Sequence, residues 1–319
     1  MTQTTTMAPA TLPDAMIAPA SAHRLMLFEG PDVDRFLQGQ VTCDIEELTL
    51  DHSLPGAACT PKGRAYAFFR LVRLSPERVL VRFPEPLGDR ITQQLSKYLA
   101  FFKAELKAAE GWQLLGIIGE ERALNIAASL PAQLNDAVTS DNGILIRTVP
   151  LPDGRARFEL WWRTTDGPPP QTDQDSAAWQ LSEIMSGLTQ LNETTTEQYV
   201  PLNLNLQGYG GVSFTKGCYT GQEIVARMHH LGQLKKSLLR LEARFIDTLP
   251  SPGDRLVDGD GNALGEVTDS IATADGNAQL LGVLKHNALN ATISLADQPG
   301  ARLSLQPLGY EMTEQQQAQ

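Results

Sequence analysis

Apolar patterning of the kind that packs begins near His23. Residues 23–28 predict a strand, and Gly30-Pro31-Asp32 then opens a short helix whose Val33, Phe36 and Leu37 share one face. From Gly56 to Phe83 the β-branched and aromatic content rises, and residues 65–74 and 78–83 predict a hairpin that turns at Ser75-Pro76-Glu77. Residues 86–101 place Leu87, Ile91, Leu95, Tyr98 and Leu99 at helical spacing behind an initiating proline. Residues 112–118 predict a strand, 120–130 a helix, and 144–149 and 157–162 two further strands.

The three consecutive prolines in residues 164–176 mark a surface loop, and 177–188 predict a helix. After Lys235 the pattern changes to short strands punctuated by Pro252-Gly253, Asp258-Gly259-Asp260-Gly261 and Asp275-Gly276, which suits a small antiparallel barrel. Residues 1–22 are rich in Thr, Ala and Pro with Asp14 as their only charge, and are expected to form a disordered tail. The organisation expected is thus a tail over 1–22, a mixed α+β region over 23–237, an all-β unit over 238–311 and a second tail over 312–319.

Composition narrows the function. The chain has 319 residues, 42% hydrophobic and 20% charged, enough apolar matter for a sizeable core in two or three domains. No apolar run approaches the roughly 20 residues that a membrane helix needs, and the first 22 residues hold no Lys or Arg for a secretory leader, so a cytoplasmic protein without a membrane partner is expected. A net charge of −11 argues against a general nucleic-acid binder, whose surface must neutralise phosphates. One segment runs against that balance. Between residues 216 and 244 stand Lys216, Arg227, Lys235, Lys236, Arg240 and Arg244 against Glu223 and Glu242, with His229 and His230 in addition. The three cysteines, Cys43, Cys59 and Cys218, form no CxxC pair, which disfavours a disulfide framework and a self-contained zinc site.

The candidate chemistry lies in residues 216–223, KGCYTGQE. Gly210, Gly211, Gly217 and Gly221 fall within twelve positions, giving a backbone that can take positive φ and lie close to a ligand. A lone cysteine is commonly a small core residue. The glycines and the adjacent cation at Lys216 favour instead an exposed Cys218, with Lys216 placed to lower the thiol's pKa and Glu223 to oppose it. His229 and His230 are the nearest bases in sequence, yet no third group that would orient them is apparent, so a cysteine hydrolase is not indicated. One cysteine cannot hold an iron–sulfur cluster by itself.

This stretch, continuing into Ile224-Val225-Ala226-Arg227, resembles the signature of YgfZ-type folate-binding proteins. Residues 30–44 (GPDVDRFLQGQVTCD), 57–70 (AACTPKGRAYAFFR) and the approach from Tyr199-Val200-Pro201 to Gly210-Gly211-Val212-Ser213-Phe214 agree with it, and the likeness covers roughly residues 23–310. That family is similar in fold to the aminomethyltransferase (T-protein) of the glycine cleavage system. The resemblance implies an α+β ring of two ferredoxin-like subdomains and a C-terminal antiparallel β-barrel around a tetrahydrofolate site. It implies a role in iron–sulfur cluster assembly or repair, supporting tRNA-modifying radical enzymes, with Cys218 as the functional thiol. Folate contacts would come from Lys216, Gly217, Tyr219, Gly221, Gln222, Glu223 and Arg227, and the partners would be folate and iron–sulfur client proteins or assembly factors, with no stably bound metal.

Two departures separate this chain from its relatives. Aminomethyltransferases carry an acidic pair after the glycine turn, one of which assists the folate nitrogen, whereas here Gly63 is followed by Arg64-Ala65-Tyr66-Ala67-Phe68. Without a carboxylate there, aminomethyl transfer has no evident acid or base, and a one-carbon transferase or demethylase stands as the alternative only if another acid serves. Before Gly187, where many relatives have a charged residue for the pterin, this chain has Ile184-Met185-Ser186. Asn203, Asn205 and Gln207 either replace that contact or sit in an ordinary loop. Lys235, Lys236 and Arg240 are read as the solvated face of a barrel strand, with pairing to a folate carboxylate as the other reading. Asp44, Lys62 and Arg64 either belong to the site or cap and pair locally.

Overall fold

The computed structural model describes residues 9–231 and 234–312. Three antiparallel sheets, joined by five α-helices and short 3-10 turns, make up these residues. The N-terminal segment opens with strand β1 (Met16–Pro19), followed by β2 (His23–Glu29), α1 (Val33–Gln40), β3 (Leu54–Cys59), β4 (Ala65–Ser75) and β5 (Arg78–Pro84). Then come α2 (Gly88–Leu99), β6 (Glu105–Ala108) and β7 (Trp112–Ile118). The first sheet has the order β3-β4-β5-β2-β6. Val33, Phe36 and Leu37 of α1 and Ile91, Leu95 and Leu99 of α2 are buried in one core with its strands, as their spacing predicts. Tyr98 departs from the expected apolar face and is 38% exposed.

The second sheet adds α3 (Glu120–Leu124), β8 (Ala137–Ser140), β9 (Gly143–Thr148) and β10 (Arg157–Arg163), in the order β1-β7-β10-β9-β8. Helix α3 is shorter than the predicted 120–130. From Asn125 the chain loosens into turns, an amide side chain being a poor helix former and Pro131 forcing an exit. The expectation of a tail over residues 1–22 is corrected: Met16 pairs with Ile118, Met16 and Ala18 are fully buried, and Ala10 bridges Thr273. Pairing supplied by a distant strand gives this short apolar run the partner that its own sequence lacks. Residues 1–8, and the expected tail over 313–319, lie outside the described residues.

Helix α4 (Ser176–Ser186) is buried along most of its length. Asp175 Oδ1 accepts from the Ala177 and Ala178 amides at 3.1 and 3.2 Å, and Gly187 closes the C-terminus in the left-handed region. Helix α5 (Gln222–His230) precedes the third sheet, formed by β11 (Lys236–Arg244), β12 (Arg255–Val257), β13 (Ala263–Ala272), β14 (Ala278–Lys285), β15 (Ser294–Leu295) and β16 (Arg302–Gln306). Its order is β15-β12-β13-β14-β11-β16, a curled half-barrel with its own apolar core around Leu241, Leu256, Val267 and Leu280.

Candidate functional site

Helix α1 ends against the loop that carries the candidate cysteine. A helix C-terminus leaves carbonyls without intrahelical donors, and here Lys216 supplies them. Its Nζ donates to the carbonyls of Gln38, Val41 and Cys43 at 2.9, 2.8 and 2.7 Å. Three converging carbonyls match the three N–H bonds of an ammonium group. Lys216 is only 7% exposed, and burial draws its pKa down to about 8. The Tyr219 ring, also buried, lies with its centroid 5.3 Å from the same ammonium. Further bonds hold the loop to α1 and the chain after it. Thr220 N donates to Gly39 O, Ser213 N to Thr42 O, and Thr42 Oγ1 to Gly211 O at 2.6 Å. Lys216 thus directs its ammonium group into the carbonyl cage at the end of α1.

The motif's second half locks onto the β3–β4 turn. Gly221 has φ +86°, and a Cβ there would lie 2.6 Å from Thr60 O and 3.0 Å from Gly63 Cα. Gly63, at φ +69°, in turn leaves no room between itself and Ile224. Only glycine permits this close approach. Helix α5 starts there with Val225 fully buried, while Glu223 and Arg227 form an ion pair one turn apart on its exposed side. Gln222 Nε2 reaches the Gly217 carbonyl at 3.5 Å. His229 stacks on Phe214 with ring centroids 3.7 Å apart, and burial together with His230 lowers its pKa.

Cys218 projects from this anchored frame. It is exposed, whereas Cys43 and Cys59 are buried with their thiols pushed up to about 12. Around Gly217 nothing lies within 4 Å of a Cβ position, so the approach on that side is open. Among the described residues no group of three or more His, Cys, Asp or Glu is arranged to hold a metal ion.

A cavity of about 460 Å³ opens beside α5, between the β3–β4 turn and the third sheet. Val200, Ile224, Met228 and Val283 give it apolar surface, and Lys62, Arg64, Lys235 and Lys236 line it with positive charge. Tyr199 donates to Glu266 at 3.1 Å on its wall, and Arg64 Nη1 donates to Gln198 O at 2.6 Å. Lys62 and Arg64 stand far in sequence from Lys235 and Lys236, and only the fold brings them together. Charge type was the sole sequence signal for this grouping. Arg240 does not join them. It is 6% exposed and bonds to Gln279, Met185 O and Pro307 O, which corrects its reading as a solvated strand residue. Asn203 and Asn205 donate to Lys236 O and Leu238 O, each at 2.9 Å, tying their turns to β11. Asp44 caps the following turn by accepting from Glu46 N.

A second cavity, between β4, β5 and the turns at 188–190 and 206–209, holds about 30 Å³, room for about one water. Arg70 and Arg82, both buried, occupy its wall and bind Glu159 of β10, Arg82 at 2.9 and 3.0 Å and Arg70 at 3.3 Å. A pterin does not fit there. The 460 Å³ cavity lies within the range of small-ligand sites and pairs an apolar floor with a cationic rim, a lining whose chemistry is compatible with a folate.

No protein-family model matches the chain. Curated relatives named tRNA-modifying protein YgfZ do. The one from Hamiltonella defensa is 31% identical over 277 residues, covering 82% of this chain and 81% of that protein. The Photobacterium profundum protein is 30% identical over 307 residues, covering 90% and 89%. The Colwellia psychrerythraea protein is 28% identical over 315 residues, covering 95% of each. Among solved structures, the glycine cleavage system aminomethyltransferase T from Bartonella henselae superposes with a TM-score of 0.67 at 16% identity, over 94% of this chain and 87% of that one, a likeness of fold.

Proposed function

The chain belongs to the YgfZ family of tRNA-modifying proteins, and on that premise we propose that it is a tetrahydrofolate-binding accessory protein for iron–sulfur cluster assembly or repair. Its work supports tRNA-modifying enzymes in the cytoplasm, and Cys218 is its working thiol. The observation that carries this reading is the contrast among the three cysteines: one exposed thiol on a loop caged through Lys216, against two buried ones. A cysteine on a fixed, open loop is accessible to a cluster or a client's sulfur as substrate.

Tetrahydrofolate is assigned to the 460 Å³ cavity, whose Ile224 and Met228 come from the motif helix itself. Tyr199 and the apolar floor suit the flat ring, and the rim suits the acid end. Of the motif residues, Lys216, Gly217, Tyr219 and Gly221 serve the site by shaping the loop, while Gln222, Glu223 and Arg227 occupy the accessible helix. Aminomethyl transfer is disfavoured because the strand after Gly63 presents Ala65, Tyr66, Ala67 and Phe68, all buried and none acidic.

Cys218→Ala, being exposed, is expected to leave the unfolding midpoint unchanged and to abolish rescue of iron–sulfur enzyme activity in a strain lacking the protein. Full rescue by that variant sinks the thiol's role. Calorimetric titration with tetrahydrofolate tests the ligand separately, and an absence of binding removes the folate part of the reading.

A further inference from the structure

The third sheet carries a cleft of its own, which shares no residue with the cavity beside α5. It holds about 490 Å³ between β11, β16, the turn at 286–290 and residues 307–312, within the range of small-ligand sites. Leu239, Leu289, Leu305 and Leu308 give it an apolar wall, and Leu305 is 37% exposed, so that wall is reached from solvent. Among the described residues Arg240 is the one charged side chain in the lining, and it is buried. Its Nε donates to Gln279 Oε1 at 3.1 Å, and its Nη1 to Met185 O and Pro307 O at 3.2 and 2.9 Å. Every one of these acceptors is neutral. Glu242, two positions along β11, pairs with Arg244 instead. Among the described residues no ion pair engages Arg240, and its Nη2 holds no hydrogen bond.

Burial draws the Arg240 pKa below its ordinary value, yet a guanidinium remains charged near neutral pH. A buried cation that meets only neutral acceptors has lost its hydration and gained no counterion, a cost that an anion in the cleft would relieve. A small inorganic anion would answer the charge and leave the leucines wet, whereas a neutral apolar molecule would do the reverse. One molecule with both parts answers both. We propose that this cleft binds a small amphipathic monocarboxylate, an acyl anion whose carboxylate accepts from Arg240 Nη2 while its apolar body lies against Leu239, Leu289, Leu305 and Leu308. A single carboxylate suffices, because one guanidinium nitrogen is open and no second cation lines the cleft among the described residues. The site is independent of the folate reading above.

The test is calorimetric titration of the full chain with octanoate, octan-1-ol and acetate. Octanoate is expected to bind about tenfold tighter, or more, than either of the others, one of which lacks the charge and the other the apolar body. Arg240→Gln should bring octanoate down to the affinity of octan-1-ol. Because Arg240 also ties α4 and the C-terminal segment to β11, Leu305→Asp serves as a second variant. Its position is exposed, so the variant should keep the wild-type unfolding midpoint, and the carboxylate it adds to the cleft should weaken octanoate about tenfold by like-charge repulsion. Absence of octanoate binding overturns the inference, as does equal affinity for octanoate and either octan-1-ol or acetate. Undiminished binding in Leu305→Asp places the anion elsewhere on the protein, the lysines beside α5 included, and overturns it as well.

Discussion

Lys216 turns its charge inward, and its three carbonyl partners lie about 175 positions earlier in the chain. Replacing it with Met leaves those acceptors buried without donors. The expected cost is about 2–3 kcal/mol of unfolding free energy, read from urea denaturation. Lys216→Arg should not restore it, because a planar five-donor fork cannot converge on a point that three carbonyls share. Wild-type stability in either variant removes the cage from the account. The sequence showed a glycine-rich loop around Cys218 and hence its exposure. It did not show where the neighbouring ammonium points, since nothing local distinguishes a lysine beside a thiol from one that reaches past it into a helix end.

Helix α4 is fixed at both ends by residues whose roles are local, Asp175 and Gly187. Asp175→Ala should cost about 1 kcal/mol, seen as a lowered urea midpoint with an unchanged slope, and a change smaller than experimental error would mean that the cap contributes nothing. Local signals of this kind made much of the fold legible: α1, the β4–β5 hairpin, α4 and the succession of short strands after Lys235 follow from periodicity and turn residues. Strand β1 escaped because four residues beside prolines gain their identity only from β7, Met16 lying opposite Ile118. The cavity rim escaped for the same reason. Lys62 and Arg64 meet Lys235 and Lys236 only once the first sheet and the half-barrel flank α5.

Across the molecule, the first two sheets are joined by charge as well as by apolar packing. Burial alone would raise Glu159, but Arg82 and Arg70 outweigh it and hold the carboxyl below its usual range. Glu183 of α4 goes the other way. Burial raises it from 4.5 to about 7 despite Arg82 and Arg157, with Glu159 and Asp269 adding to the rise. The unfolded chain therefore ionises this carboxyl first, so its contribution to stability is complete below about pH 4.5 and is lost as pH rises through about 7. Asp269, raised by burial to about 6, acts in the same sense. His23, lowered to about 3 by burial and by Arg82, opposes them, losing stability as pH falls below 6.5. Glu183→Gln removes one slope only. Its stability relative to wild type should rise by on the order of 2 kcal/mol between pH 5 and 8 in urea titrations, and a difference that does not change with pH refutes the assignment.

The backbone near Ala10 also orders events during synthesis. Its amide donates to Ala272 O at 2.9 Å and its carbonyl accepts from Ala274 N at 3.1 Å, while Met16–Pro19 waits for residues 115–118. Ala10 thus cannot take its native partners until residues 272–274 have been made. Met16, Ile17 and Ala18 wait only for residues 115–118, so two neighbouring stretches of one segment are secured at very different stages.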